Sequence, residues 1–178
     1  DLFLVYYGGR SMEFTLNYNY YKSYANTGKE PPCDQNSGAY IFRPSNDTKN
    51  GSIPYATIQS ARVWKGNNLI QIQFVSDKVI ANMRIYGDLA NGMELESFIN
   101  SIDIADGVGK EVVVLIQSPN VNNDGVFYTD SMGMEFQKRI RNYRPTFNLL
   151  LNQPVAANYY PLNSAIYIQD ANNGRGFA

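Results

Sequence analysis

Alternation of apolar and polar residues with a period of two runs through most of the chain and limits the folds open to it. In one such run the side chains of Ile70, Ile72 and Phe74 share one face, and the two intervening glutamines occupy the other. A period of two places alternate residues on opposite faces of a strand, whereas an amphipathic helix needs apolar residues three or four positions apart. The sequence therefore predicts a protein built of β-strands.

Further runs of this kind follow one another along the chain, with turn residues between them. Residues 78–86 alternate in the same way, and residues 12–21 combine aromatic, β-branched and polar side chains. The continuous apolar run 112–116 is typical of a strand that is buried on both faces. Turns rich in Gly and Asn are expected at residues 8–9, 65–68, 91–92, 106–109 and 122–125.

Only one stretch of the sequence is compatible with a helix. In residues 135–144, Phe136, Ile140 and Tyr143 are spaced by four and by three, but the same stretch also fits a strand. No linker or low-complexity segment divides the chain. Many short strands at this spacing predict an all-β fold, an antiparallel β-sandwich, with residues 1–178 as a single β-sandwich region.

Charge and hydropathy argue against two classes of partner. The 178 residues carry a formal net charge of −1, which creates no field that would recruit nucleic acid or an anionic membrane surface. No apolar run approaches the roughly 20 residues that a membrane-spanning helix needs. We therefore expect no nucleic-acid partner and no membrane span. The first residues lack a signal peptide's basic region, and the last ones stop as a new strand is predicted to begin, so we expect a segment of a longer protein. The alternative is a short domain with frayed ends.

The residues that most often build an active site are scarce. The chain contains no His and one Cys, Cys33, so neither a Ser-His-Asp set nor an ordinary zinc site is expected. Glycosidase chemistry needs only two carboxyl groups, but the acidic residues lie mostly in turns, where Asp is favoured, and no pair stands out. We predict no catalytic residue and no metal ligand. Cys33 is either a buried free thiol or the partner of a cysteine outside this segment.

Two N-glycosylation sequons lie almost side by side in the polar stretch PSNDTKNGSIP. One begins at Asn46, in the triplet NDT, and the other at Asn50, in NGS, and neither has Pro in the middle position. A polar loop can accommodate a glycan, so Asn46 and Asn50 are candidate glycosylation sites. The alternative is a simple polar turn.

Aromatic side chains are numerous, with 14 Tyr, 9 Phe and 1 Trp. Carbohydrate-binding surfaces use such rings against the apolar faces of sugars, and the candidates here are Trp64, Tyr18 and the pairs 20–21 and 159–160. Tyr is also a good strand residue that packs sandwich cores. With a single Trp, a dedicated carbohydrate-binding platform is the weaker of the two interpretations.

Five segments carry distinctive motifs. They read SGAYIFRP at 37–44, DGVGKEV at 106–112, FYTDS at 127–131, KRIRNYR at 138–144 and NQPVAANYYP at 152–161. In this order they resemble motifs of glycoside hydrolase family 38, the class II α-mannosidases, above all the lysosomal and plant acidic type. Met132 stands where that family usually has Asn, Asn142 where it has Asp, and Ala157 where it has Gly. Residues 1–36 agree only loosely.

The resemblance implies a place in a large enzyme. Members have an N-terminal α/β catalytic domain, a helical bundle and C-terminal β domains, and they hydrolyse terminal α-mannosides of N-glycans with retention of configuration. A zinc ion held by His and Asp residues binds sugar hydroxyls, and an Asp is the nucleophile. All of these residues belong to the earlier domains. The chain would then be a non-catalytic β-domain portion of a zinc-dependent α-mannosidase, with no zinc bound by this portion itself.

Partners and location follow from the same resemblance. It implies that the chain contacts the remaining domains or chains of the same α-mannosidase and a mannose-containing glycan, and it leaves a homo-oligomer open. It implies a lysosome or another acidic compartment of the secretory pathway, or secretion. The alternative function is a free-standing carbohydrate-binding or adhesive β-sandwich module.

One residue is expected to touch substrate. In the family, the Tyr of SGAYIFRP reaches into the catalytic pocket and contacts the bound mannose through its hydroxyl, and the matching residue here is Tyr40. Gly38 and Ala39 beside it would leave its ring room to project. The alternative is that Tyr40 only packs between domains.

Overall fold

The computed structural model of the protein describes residues 2–7, 10–25, 35–87 and 92–177. Cys33 and the turn residues Gly8, Gly9 and Asn91 lie outside these ranges, so the predictions about them stay predictions. The described residues form twelve β-strands and one short 3-10 helix, and they contain no α-helix. The all-β prediction is therefore confirmed.

The strands form three four-stranded sheets. In chain order they are β1 Leu2–Tyr7, β2 Arg10–Lys22, β3 Ile53–Ala56, β4 Ser60–Lys65, β5 Leu69–Val75, β6 Val79–Tyr86, β7 Met93–Ile99, β8 Lys110–Gln117, β9 Val126–Ser131, β10 Glu135–Ile140, β11 Ile166–Gln169 and β12 Gly176–Phe177. The first sheet has the order β1-β2-β3, with β8 also paired to β2. The second has the order β4-β5-β6-β7, and the third β10-β9-β11-β12. Residues 135–144, whose sequence fitted either a helix or a strand, thus form a strand in their first part, β10.

Contacts divide the chain into two compact units. Unit 1 comprises residues 1–20 and 53–117, and unit 2 comprises residues 21–52 and 118–178. Unit 1 holds the first two sheets apart from the last two residues of β2, and unit 2 holds the third sheet with its loops. The prediction of one β-sandwich region over residues 1–178 stays a prediction.

Unit 1 is a sandwich in which the two sheets share one core. The buried cluster consists of Phe14, Leu16, Tyr18, Tyr55, Phe74, Val79, Ala81 and Met83. These residues come from β2 and β3 of one sheet and from β5 and β6 of the other, and they alternate along their strands. Because alternate residues of a strand share a face, the core confirms the period-two pattern that the sequence predicted.

Strand β8 corrects one prediction. Its apolar run was expected to be buried on both faces, but Val114 and Ile116 are exposed, while Val112 packs against the core of unit 1. Val112, Val114 and Ile116 share one face of β8, so the core of unit 1 covers that face only near the start of the strand. A continuous apolar run is therefore no proof that both faces of a strand are covered.

Unit 2 is built on the sheet around β9. Strand β9 pairs antiparallel with β10 on one side and with β11 on the other. The rings of Tyr128 in β9 and Tyr167 in β11 are direct neighbours in this register and stack with their centroids 4.3 Å apart. The candidate site residues lie in two loop segments of unit 2. One is residues 35–52, and the other is residues 141–165, which connect β10 to β11.

Candidate functional site

Tyr40 lies at the tip of a tight turn in unit 2. The backbones of Gly38 and Ile41 pair across the turn, with N···O distances of 3.1 and 3.2 Å. Ala39 and Tyr40 form the tip, and Tyr40 is 94% exposed. A Cβ added at Gly38 would meet no described atom within 4 Å. The space around the Tyr40 ring therefore comes from the turn, and the missing side chain of Gly38 is not needed for it.

Aromatic packing holds the base of this turn. The Phe42 ring makes edge-to-face contacts with Tyr21, at a centroid distance of 5.3 Å, and with Tyr159, at 5.6 Å. Tyr21 is near the end of β2, and Tyr159 directly follows the 3-10 helix Ala156–Asn158. Such aromatic pairs contribute about 0.5–1.5 kcal/mol each beyond their buried area. Phe42 thus ties the Tyr40 turn to two other parts of unit 2.

Polar contacts close the same loop on its other side. The Arg43 guanidinium lies over the Tyr24 ring, 4.4 Å from its centroid, and its Nη1 donates to the Gln35 carbonyl at 3.2 Å. The Arg43 carbonyl accepts from the Tyr24 backbone N–H at 3.0 Å and from the Ser37 hydroxyl. These contacts fix both ends of the motif segment 37–44, so that only the tip projects.

The two sequons follow in a second, tightly hydrogen-bonded loop. Thr48 is fully buried, and its hydroxyl accepts from the Lys22 backbone N–H at 3.2 Å. The Lys22 ammonium forms an ion pair with Asp47 at 2.7 Å, and this contact is the main reason why the pKa of Asp47 falls to about 2. Asn46 and Asn50 are exposed. Both amides are therefore accessible, although the residue that completes the first sequon is buried.

The acidic residues of unit 2 hold loops in place. Asp130 is buried, and one of its oxygens accepts from the backbone N–H groups of residues 163, 164 and 165 at 2.9, 2.9 and 3.0 Å. These backbone hydrogen bonds hold the pKa of Asp130 well below its usual range. Asp170 accepts from the backbone N–H groups of Asn122, Asn172 and Asn173, and its pKa is lowered for the same reason. A general acid needs a raised pKa, so neither environment suits that role.

The described residues contain neither a candidate metal-binding cluster nor a helix that could span a membrane. No group of three or more His, Cys, Asp or Glu side chains that could hold a metal ion occurs there. A zinc ion prefers His and Cys ligands in a four-ligand set, and the described residues offer no such set for the zinc that the resemblance implies. None of the described helical segments has the length and apolar character needed to cross a membrane.

Comparison with known proteins identifies the family. Residues 8–178 match the family of the C-terminal domain of glycosyl hydrolases family 38. The chain belongs to this family. The earlier resemblance, drawn from five short motifs, is thereby confirmed over a far longer stretch, including the segment before residue 37 that agreed only loosely.

Curated relatives of this family 38 C-terminal domain are α-mannosidases. The lysosomal alpha-mannosidase of Dictyostelium discoideum is 39% identical over 171 residues, which are 95% of this chain and 16% of the relative. The lysosomal alpha-mannosidase of Bos taurus is 40% identical over 146 residues, 78% of this chain and 13% of the relative. The alpha-mannosidase of Canavalia ensiformis is 41% identical over 140 residues, 76% of this chain and 14% of the relative. The chain thus spans about a sixth or less of these relatives.

The motifs of this family 38 domain in residues 127–161 build unit 2 itself. Two guanidinium groups lie over the Tyr160 ring, with Arg139 4.9 Å and Arg144 4.6 Å from its centroid. Arg144 also donates to the Tyr160 hydroxyl, and its Nη2 donates to the Ala157 carbonyl at 2.6 Å. The Phe127 ring contacts Tyr160 edge to face at 5.3 Å. Arg139 and Arg144 of the KRIRNYR motif are therefore part of the internal packing of the unit, whereas Lys138 and Arg141 are exposed.

The structure separates the aromatic candidates from one another. Tyr18 is buried in the core of unit 1, where its hydroxyl lies 2.6 Å from Ser97 Oγ, so it cannot meet a sugar. Tyr159 packs against Phe42 at the base of the Tyr40 turn, and Tyr160 contacts the guanidinium groups of Arg139 and Arg144. Trp64 is exposed on β4. The support that Tyr159 gives to Phe42 was missed, because nothing in the sequence links two rings so far apart along the chain.

Proposed function

We propose that this family 38 domain is the non-catalytic β-domain portion of a retaining, zinc-dependent α-mannosidase that hydrolyses terminal α-mannosides of N-glycans. The match over residues 8–178 and the relatives named α-mannosidase support this function. The zinc ligands and the nucleophile belong to other domains of that enzyme. The enzyme works in the lysosome or another acidic compartment, or is secreted, and the relatives named lysosomal support the first of these.

The exposure of Tyr40 is the observation that carries the role of this chain. Tyr40 is 94% exposed on a turn whose base is fixed by Phe42 and Arg43. Its side chain therefore adds nothing to the stability of unit 2. Its hydroxyl can both donate and accept a hydrogen bond. A fixed base with a projecting phenol suits a contact made outside the unit, and we assign that contact to a hydroxyl of the bound mannose.

The substitution Tyr40→Phe in the intact enzyme tests this contact. It keeps the ring and deletes the hydroxyl, so the loss of one hydrogen bond is expected to cost about 0.5–1.5 kcal/mol, or roughly two- to tenfold in kcat/KM. Tyr143→Phe is the matched control, because Tyr143 is also an exposed tyrosine of unit 2 and lies outside the turn. Its kcat/KM is expected to stay at the wild-type value.

A second variant separates the contact from packing between domains. If Tyr40→Phe has wild-type kcat/KM while Tyr40→Ala lowers the thermal stability of the intact enzyme, Tyr40 only packs against a neighbouring domain. The proposed contact with mannose is then wrong, even though the chain remains a family 38 domain.

Exposed apolar side chains support contacts with the rest of the enzyme. In unit 2 the segment 147–151 exposes Phe147, Leu150 and Leu151. Concentrated apolar exposure of this kind marks interaction surfaces in soluble proteins. We assign this segment to contacts with the remaining domains or chains of the same α-mannosidase. The mannose-containing glycan and a homo-oligomer stay predictions.

We also propose that Asn46 and Asn50 carry N-linked glycans. Both amides are exposed in the sequon loop, which supports attachment at either position. Enzymatic removal of N-glycans from the secreted protein is expected to lower its mass, and Asn46→Gln combined with Asn50→Gln is expected to abolish that difference. An unchanged mass of the wild type after treatment would show that the triplets are simple polar turns.

A further inference from the structure

The second sheet of unit 1 has one face in the core and one face outside it. Phe74 of β5 and Ala81 of β6 are cross-strand partners and belong to the buried core. Residues of the opposite parity therefore form the outer face. One row across this face consists of Trp64, Gln71, Arg84 and Glu94, which are successive cross-strand partners on β4, β5, β6 and β7. We call it, with the row described next, the Trp64 face.

A second row lies beside the first and is tightly hydrogen-bonded. It consists of Arg62, Gln73, Asn82 and Glu96, again successive partners across the four strands. Gln73 Nε2 donates to Asn82 Oδ1 at 3.1 Å, and Asn82 Nδ2 donates to Glu96 Oε2 at 3.3 Å. Arg84 Nη2 donates to the same Glu96 oxygen at 2.7 Å. Asn82 is only 8% exposed, so this network is fixed before any ligand arrives.

Hydrogen-bonding capacity remains next to the tryptophan. Trp64 is 49% exposed, and its cross-strand partner Gln71 is only half-buried. Within the described part of the chain, the Gln71 amide has no hydrogen-bond partner, which leaves two donors and an acceptor beside the indole ring. Glu94 lies at the other end of the row, where its carboxylate accepts from the Tyr86 hydroxyl at 2.8 Å.

The charge of the Trp64 face selects among ligands. Arg62 and Arg84 balance Glu94 and Glu96, so the two rows carry no net charge. A nucleic acid needs a positive surface, and a cation site needs an excess of carboxylates. A sheet face with an exposed aromatic ring and with fixed donors and acceptors whose charges sum to zero suits a ligand that has both apolar C–H faces and many hydroxyls.

We propose that the Trp64 face binds a neutral pyranose oligosaccharide. One sugar ring stacks on the indole of Trp64, and its hydroxyls bond to the Gln71 amide and to the Arg84 guanidinium. The sequence made a dedicated carbohydrate-binding platform the weaker interpretation because there is only one Trp, but one ring suffices when the neighbouring strands supply the polar partners. That the oligosaccharide is a mannose-rich N-glycan rests on the proposed function.

Fluorescence and calorimetry with a free high-mannose N-glycan test the proposal. Trp64 is the only tryptophan among the 178 residues, so the emission of this chain studied by itself reports on the Trp64 face. We expect the glycan to shift or quench that emission and to bind with a Kd below about 10 mM. Calorimetry is expected to show that Trp64→Ala weakens binding at least tenfold and Gln71→Ala several-fold, whereas Trp64→Phe retains part of the affinity.

Val63→Ala is the matched control for these variants. Val63 is also exposed and lies next to Trp64 on β4, but it belongs to the other face of the strand, so binding is expected to be unchanged. Circular dichroism checks that each variant is folded, and if Trp64→Ala is not, Gln71→Ala and Trp64→Phe decide. Absence of a fluorescence change and of binding heat, or equal affinity of the wild type and the folded variants, overturns the proposal.

Activity on a small substrate distinguishes this proposal from the one on Tyr40. In the intact enzyme, Trp64→Ala is expected to leave kcat/KM for an aryl α-mannoside unchanged, because the one sugar ring of this substrate is the ring that the catalytic site binds. Tyr40→Phe is expected to lower it. A loss of aryl mannoside turnover in Trp64→Ala overturns the assignment of a separate binding face, whereas wild-type turnover in Tyr40→Phe overturns only the mannose contact.

Discussion

The loop between β9 and β10 contains a residue that is poorly suited to its backbone, and replacing it should stabilise the protein. Met132 and Gly133 have φ angles of 54° and 71°, and the Met134 N–H donates to the Ser131 carbonyl at 2.9 Å. Two consecutive positive φ angles are typical of type I′ turns, for which Asn-Gly is the preferred pair. Met132 stands where the family motif has Asn.

The size of the effect follows from the exposure of the side chain and the cost of its backbone conformation. Met132 is 82% exposed, so Met132→Asn removes little buried apolar area. Asn occurs several-fold more often than other residues in the left-handed region, and a factor of about five corresponds to roughly 1 kcal/mol. We expect a gain of about 0.5–1 kcal/mol in the free energy of unfolding, which for a chain of this length raises Tm by roughly 1–4 °C.

Calorimetric melting of matched variants measures this gain. Met134→Asn is the control, because Met134 is 85% exposed in the same loop but does not have a positive φ angle, so no gain is expected. Gly133→Ala gives the opposite sign: no described atom lies within 4 Å of the added Cβ, and the loss of about 1 kcal/mol would come from φ alone. An equal gain in Met132→Asn and Met134→Asn, or no gain in either, refutes the reasoning.

Two further predictions concern charged groups that hold loops. The Lys110 ammonium lies 2.7 Å from the Asp103 carbonyl and 2.8 Å from each Asp106 oxygen, so Lys110→Met is expected to cost about 1 kcal/mol in urea unfolding, given the exposure of Asp106. Lys65→Met, a change at an exposed lysine, should cost little, and equal losses would contradict this role. Because the folded-state pKa of Asp130 is depressed, the contribution of its carboxylate to the free energy of unfolding is fully present above pH about 4. This contribution is lost as the pH falls further through the folded pKa. Asp130→Asn should therefore lower Tm at pH 5–7, and the difference from wild type should shrink near pH 3; a difference independent of pH would count against the carboxylate.

The sequence predicted the strands and much of the core because both depend on local patterns. The alternation around Phe74 and Ala81 encodes which side chains enter the core, and the pair Asp124-Gly125 encodes a turn whose two φ angles are indeed positive, 48° and 72°. Met132-Gly133 adopts the same kind of turn without the preferred first residue. There the flanking strands and the Gly133 N–H bond to Asp130 at 3.0 Å impose the conformation, and no local propensity reveals it.

The candidate site was less accessible to sequence analysis because its parts meet only in the fold. Tyr40 was named from a motif, but its fixed base depends on Tyr159, and the Trp64 face depends on the register of four strands. A register shift by one residue would move Gln71 into the core face and Phe74 outward. Such pairings are set by the packing of whole sheets, so the single Trp64 could not be interpreted from composition.

The motif SGAYIFRP shows how structure separates building residues from a functional one. Ser37 and Arg43 close the loop by hydrogen bonds, Phe42 packs between two tyrosine rings, and Pro44 is buried. Each of these residues is explained by a contact inside unit 2. Tyr40 is not, since its side chain is almost wholly exposed at the tip. A phenol that the domain itself does not use, on a turn the domain holds firmly, is best explained by a ligand or surface beyond the domain, which is why Tyr40→Phe and Tyr40→Ala together decide its role.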